Sequence, residues 1–196
     1  MVYEVKGFHT CRAEGTREEL QGKVPFLSRP KGQWLGQGYY FWTEIDYWAH
    51  KWIEGEKVIS EYDLSLPRDQ LLDLVGSLQD QSDFLQVIDM FKKGSLRRRF
   101  EARYGSVFTV SDVIHWLRDE KADQGFREIF PYWAVRAKDS VGPRRVPFKA
   151  GHCEELLLLE RHQMCVYAEH KEDVVTFRQF VHPAHFRDDT VIGEMA

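Results

Sequence analysis

Two stretches of the chain concentrate residue types able to do chemistry. Between Trp34 and Trp52, a Gly36-Gln37-Gly38 turn signal runs into Tyr39-Tyr40-Phe41-Trp42, and Tyr47, Trp48 and Trp52 follow closely. Rings this dense bury large areas in a core. Any that remain at the surface offer stacking partners to a flat ligand. Between Phe91 and Tyr104 the mixture differs: Lys92, Lys93, Arg97, Arg98, Arg99 and Arg103 are interleaved with Phe91, Phe100 and Tyr104. Cations beside aromatics grip single-stranded nucleic acid through phosphate neutralisation and base stacking. The plainer reading is a solvated helix face with its rings buried. A third set, Cys11, His152, Cys153, His162 and Cys165, has metal-ligating types but lacks the close pairs a structural zinc site uses. No metal is expected.

The elements that must position these residues are legible from periodicity. Val2 to Phe8 reads as a strand ending at His9, and Glu14 to Gln21 as one or two helical turns. Ser28-Arg29-Pro30-Lys31-Gly32 reads as a loop, and Trp34 to Trp42 as a turn feeding a strand. Thr43 is the expected N-cap of a helix to about Ile53, with Ile45, Trp48, Ala49 and Trp52 on one face. Lys57 to Leu66 alternates as a strand, with Val58, Ser60, Tyr62, Leu64 and Leu66 on one side and Pro67 at its end. From Arg68 to about Arg127 the pattern is helical. Leu71, Leu72 and Val75 fit one helix, Phe84, Val87, Ile88 and Phe91 a second, and Val113, Ile114 and Leu117 a third capped by Thr109 or Ser111. The four leucines of Glu155 to Glu160 read as a strand buried on both faces. Met164 to Ala168 and Asp173 to Val181 are further strand candidates. The layout is α+β in a single domain over 1–196, with a helical insertion at about 68–130.

Composition bounds the function classes. The chain has 196 residues, 43% of them hydrophobic, and a net charge of −4. It is no general polycation, so contact with nucleic acid requires a local basic patch. MVYEVKGFHTC has no charged leader before an apolar run, and no stretch is apolar enough to span a membrane. The three cysteines are widely spaced, which suits reduced thiols. A cytoplasmic chain without membrane contact is the expectation.

Three separated pieces resemble the His-Tyr-Glu class of ADP-ribosyltransferases, which includes poly(ADP-ribose) polymerases and diphtheria toxin. They look most like its small bacterial toxin and phage-defence members. Gly7-Phe8-His9-Thr10-Cys11 is similar to the family's aromatic, His, Gly, Ser/Thr motif. Gly36-Gln37-Gly38-Tyr39-Tyr40-Phe41 is similar to its Gly-x-Gly-x-Tyr-Phe. Glu160-Arg161-His162-Gln163-Met164-Cys165-Val166-Tyr167 stands where a strand begins with the catalytic glutamate. The resemblance implies a split β-sandwich of two small sheets with NAD in the cleft between them. It gives His9 a ribose hydroxyl of NAD, and the backbone of Thr10 the nicotinamide amide. Thr10 stands where the family has glycine. Tyr40 is implied to stack on the nicotinamide, beside Tyr39, with Tyr47, Trp48 or Trp52 as candidates to close the other face. Gln163 takes the catalytic place in one alignment, and Glu160 in the alternative.

The implied activity is mono-ADP-ribosyl transfer from NAD to a macromolecule, either nucleic acid such as RNA or a protein. The setting would be a bacterial toxin or anti-phage effector, with an antitoxin partner expected. Arg97, Arg98, Arg99, Arg144 and Arg145 are the acceptor-binding candidates, and Lys149 accompanies the last two. The transition state of this reaction resembles an oxocarbenium ion. Stacking suits the cationic pyridinium ring, and a polar side chain at the ribose stabilises the developing charge. Gln163 can donate and accept hydrogen bonds but cannot serve as a base. Two other readings stand beside this one: an NAD glycohydrolase (or a related RNA 2′-phosphotransferase), and a non-catalytic module that binds NAD or ADP-ribose.

Overall fold

The computed structural model of the chain describes residues 1–30, 33–119, 128–139, 144–147 and 155–187. Alternating apolar segments build a seven-stranded sheet. Within it β1 (Val2–Arg12) and β3 (Lys57–Pro67) pair antiparallel along their whole length, from Val2 with Pro67 to Arg12 with Lys57. β9 (Val175–His182) borders β3. On the other side of β1 come β2 (Tyr39–Thr43), β8 (Arg161–Val166), β5 (Ala134–Asp139) and β4 (Leu71–Asp73). β4 and β5 are parallel and the other pairs antiparallel. The class is therefore mixed α and β. These seven strands form one hydrogen-bonded sheet. Its halves, β4-β5-β8-β2 and β1-β3-β9, meet at only two residue pairs, Gly7 with Thr43 and Phe8 with Trp42.

The period-two alternation of strands sends successive side chains to opposite faces. One face buries Phe41, Tyr62, Leu64, Leu66, Met164 and Phe180, closed by Leu20 of α1 (Arg17–Gln21). A capping box between Thr16 and Glu19 fixes the start of α1. The other face carries two clusters. Phe8, Trp42 and Ile59 pack under Ala49 of α2 (Tyr47–Trp52). Val135, Cys165 and Tyr167 pack under α3 (Leu78–Phe91), α4 (Gly94–Tyr104) and α5 (Val110–Arg118). No helix among the described residues is long and apolar enough to cross a membrane.

Several expectations need correction. Thr43 does not cap α2: it is the last residue of β2, committed to Gly7, and the helix begins four residues later behind Asp46. Of the expected apolar face, Ala49 is buried, whereas Ile45 and Trp52 are exposed. The helical block also starts later. Leu71 and Leu72 lie in β4, because pairing with Ala134 and Val135 outweighs their helical spacing. From Leu78 onward the helices follow the expected faces, and Thr109 caps α5. The leucine run is not a strand buried on both faces. Among the described residues β7 (Glu155–Leu158) pairs only with β6 (Arg144–Pro147), and Leu156, Leu158 and Leu159 stay exposed. A short α6 (Lys171–Val174) precedes β9.

Candidate functional site

The near-division of the sheet creates the site. β2 is paired with β8 from Tyr39 opposite Val166 to Trp42 opposite Gln163. Beyond Phe8, β1 leaves β2 and stays with β3. The resulting fork opens into a cavity of about 660 Å³, roofed by Phe26, Leu27, Ser28, Arg29, Gln33 and Trp34. His9, Thr10, Tyr40 and Gln163 all line it.

His9 bridges the fork. Its Nδ1 lies 3.1 Å from the carbonyl of Tyr40, and its Nε2 lies 3.3 Å from the amide N–H of Phe26. A carbonyl can only accept and an amide N–H can only donate, so the neutral Nδ1–H tautomer fits both. Burial pushes the imidazole pKa down, partly offset by the Tyr40 carbonyl, and keeps the ring neutral. Thr10 turns its hydroxyl away from the cavity, donating to the carbonyl of Ala49 at 2.9 Å. Its peptide group points the other way. Along β1 the carbonyl of Lys6 faces β2, receiving the Glu44 N–H at 2.9 Å, whereas that of His9 faces β3 and receives the Ser60 hydroxyl at 3.4 Å. The alternation of an antiparallel ladder then turns the N–H and C=O of Thr10 into the fork, past the last residue paired with β2.

Tyr40 sits on the opposite wall. Its hydroxyl donates to the Gly36 carbonyl at 2.8 Å and accepts from the Leu35 N–H at 3.0 Å, which anchors the ring. Burial raises its pKa far above the ordinary tyrosine value. The two turn glycines have separate causes. Gly36 has φ +85°, in the left-handed region. At Gly38 a Cβ would come within 2.5 Å of the Val166 carbonyl, so only glycine lets this turn lie against β8. Gln163 is 6% exposed, and its Oε1 accepts the indole N–H of Trp34 at 2.8 Å. An indole nitrogen can only donate, so this bond fixes the carboxamide orientation. The oxygen is used on Trp34, and the amide nitrogen is the end left to meet a ligand.

The other candidates separate by face. Glu160 does not line the cavity. Its carboxylate pairs with Lys138 and His162, which hold its pKa below the ordinary carboxylate value, and its carbonyl accepts from Trp48 Nε1 at 3.1 Å. Tyr39 alternates to the opposite face, with Lys171 Nζ 5.7 Å from its ring centre. Trp48 packs beside Tyr47, and neither lines the cavity, whereas Trp52 does and is 56% exposed. Arg97, Arg98 and Arg99 lie on α4, outside the cavity lining. Arg97 pairs with Glu101 at 2.7 Å, and Arg99 lies over Trp116. Phe91 and Phe100 are fully buried, so they belong to the core and offer no stacking surface. The side chains of Arg144 and Arg145 fall outside the described residues, as do Lys149, His152 and Cys153. No group of three or more potential metal ligands occurs among the described residues.

The sequence pattern did not single out Arg29, Trp34 and Asp139, which also line the cavity. None sits in a recognisable motif. Trp34 and Arg29 arrive from the roof, and Asp139 through its place on β5. The cavity thus combines an anchored ring, exposed apolar rims at Phe26 and Trp52, amide donors and a guanidinium. Those groups suit a flat, hydroxylated, anionic ligand. No protein-family model, curated protein or solved structure matches the chain.

Proposed function

We propose that the chain is an NAD-consuming mono-ADP-ribosyltransferase of split β-sandwich type. Its acceptor is a macromolecule, nucleic acid or protein, in the setting of a bacterial toxin or defence effector. One observation carries the reading: His9, Tyr40 and Gln163, far apart in sequence, line a single cavity at the fork of the sheet. The fork itself supports a sheet functionally divided in two.

The roles are those the resemblance implies, and the geometry is compatible with them. The anchored ring of Tyr40 stacks on nicotinamide, whose cationic charge adds a cation–π contribution. The peptide group of Thr10 meets the nicotinamide carboxamide, donor to acceptor and acceptor to donor. Threonine is compatible with the glycine position because its side chain leaves the fork for Ala49. Nε2 of His9, which accepts the Phe26 N–H at 3.3 Å, exchanges that partner for a ribose hydroxyl when NAD binds, because its one lone pair serves one donor at a time. Gln163 turns its N–H groups to the reacting ribose, and Arg29 faces the pyrophosphate. A carboxamide held in place by Trp34 orients the hydroxyls of the ribose without reorganisation as the oxocarbenium-like transition state forms.

The test is incubation of the purified protein with adenylate-labelled NAD and a bacterial extract, separated afterwards into protein, RNA and DNA. Label in one fraction is the expected result and names the acceptor class. Free ADP-ribose without a labelled fraction would make the protein a glycohydrolase. Binding of NAD without turnover would make it a binding module.

A further inference from the structure

We propose that Asp139 takes the proton from the attacking group during transfer, an assignment that rests on the transferase reading above. Gln163 occupies the place in the cavity where a carboxylate would be expected, and a carboxamide has no basic lone pair for a proton. Its oxygen is moreover engaged by Trp34. Among the described residues lining the cavity, Asp139 carries the one carboxylate. Glu160, the nearer acid in sequence, is absent from the lining.

Register places Asp139 usefully. Gln163 on β8 stands opposite Ala137 of β5, and Arg161 stands opposite Asp139. Asp139 and Gln163 are diagonal neighbours on one face of the sheet, about 7–8 Å apart at the backbone. That spacing leaves room for an anomeric carbon and an attacking atom between the side chains. The carboxylate is also held in position. Arg161 Nη2 lies 3.1 Å from Asp139 Oδ2, and the same guanidinium sits 5.2 Å from the ring centres of both Trp42 and Trp48.

The step balances. The bond from the anomeric carbon to the nicotinamide nitrogen breaks, and its electron pair stays on nicotinamide, which leaves neutral. A lone pair on an acceptor hydroxyl or amine forms the new bond to the anomeric carbon. The proton on that oxygen or nitrogen passes to Asp139 and then to solvent. As the new bond forms the proton becomes strongly acidic, so even an ion-paired carboxylate is basic enough to receive it.

The experiment compares wild type, Asp139→Asn and Asp139→Glu by NAD binding in calorimetry, by nicotinamide release with bacterial extract present, and by thermal melting. The expected result is NAD affinity in Asp139→Asn within about threefold of wild type, with turnover lowered about a hundredfold. Asp139→Glu should recover at least a tenth of the wild-type rate. Wild-type turnover in Asp139→Asn would overturn the assignment, and so would a loss of NAD affinity that accounts for the lost rate. If Asp139→Asn does not fold, Asp139→Ser decides: a rate lowered about a hundredfold at unchanged NAD affinity supports the role, and an unchanged rate overturns it. A folded wild type that neither binds nor cleaves NAD would instead refute the transferase reading, and the role of Asp139 with it.

Discussion

The fork between β1 and β2 and the α3–α5 block carry the same kinds of residue, aromatic rings beside cations and polar groups, yet they use them differently. In the helical block the groups are spent on each other. Phe91 and Phe100 are fully buried with ring centres 4.9 Å apart, Arg97 is paired with Glu101, and Arg103 with Asp119. In the fork the partners are incomplete by design of the sheet. The peptide group of Thr10 faces a strand that has turned away, Gln163 uses one end of its carboxamide on Trp34, and Trp52 keeps an open face. Composition alone does not separate a core from a binding site; hydrogen-bond accounting and strand register do.

This contrast can be broken by substitution. The largest effect is expected in the helical block: Phe100→Ala should cost about 3–5 kcal/mol of stability, measured by denaturant unfolding, because it empties a closely packed aromatic cluster. A loss below about 1 kcal/mol would mean that this ring is not core. In the fork, Trp34→Phe should keep most of the stability and slow NAD cleavage by about tenfold to a hundredfold, since the Gln163 carboxamide loses its tether. Unchanged kinetics in a folded Trp34→Phe protein would detach Gln163 from the chemistry.

A smaller effect is expected from pH. The folded pKa of His9 lies below the ordinary histidine value of 6.5, through burial. Between the two values the unfolded chain binds a proton that the folded chain does not, so stability falls as pH drops below about 6.5 until the folded pKa is reached. The cost is about 1.4 kcal/mol for each pH unit of that window. Melting curves at pH 8 and 5 should show a larger loss for wild type than for His9→Gln, and equal losses would place the sensitivity elsewhere. The smallest effect should come from replacing Arg97, Arg98 and Arg99 together by alanine. Nicotinamide release should stay within about twofold of wild type, because these residues lie on α4 away from the fork. A collapse of NAD cleavage would join the two regions functionally.

Much of this was legible in the sequence, and the rest was not for identifiable reasons. The alternation of Lys57 to Leu66 specified β3, and the glycines at 36 and 38 signalled a turn that the structure explains separately by φ and by close approach. Leu71 and Leu72 misled because a three-residue strand is too short to show a period, and pairing with β5 decides its state. The leucine run misled because an apolar strand can also lie in an exposed hairpin. Within the site, the choice between Gln163 and Glu160 depends on which face each side chain takes. Asp139 was invisible because its relevance comes from pairing with β8, which no local pattern encodes.

The central claim, that the fork holds NAD and Gln163 acts on its ribose, is tested most directly by nicotinamide release. Wild type and Gln163→Ala would be incubated with nicotinamide-labelled NAD and bacterial extract, with melting curves confirming that both are folded. The account predicts release by wild type and a loss of at least about a hundredfold in Gln163→Ala. No release by wild type, or equal release by both, would contradict it.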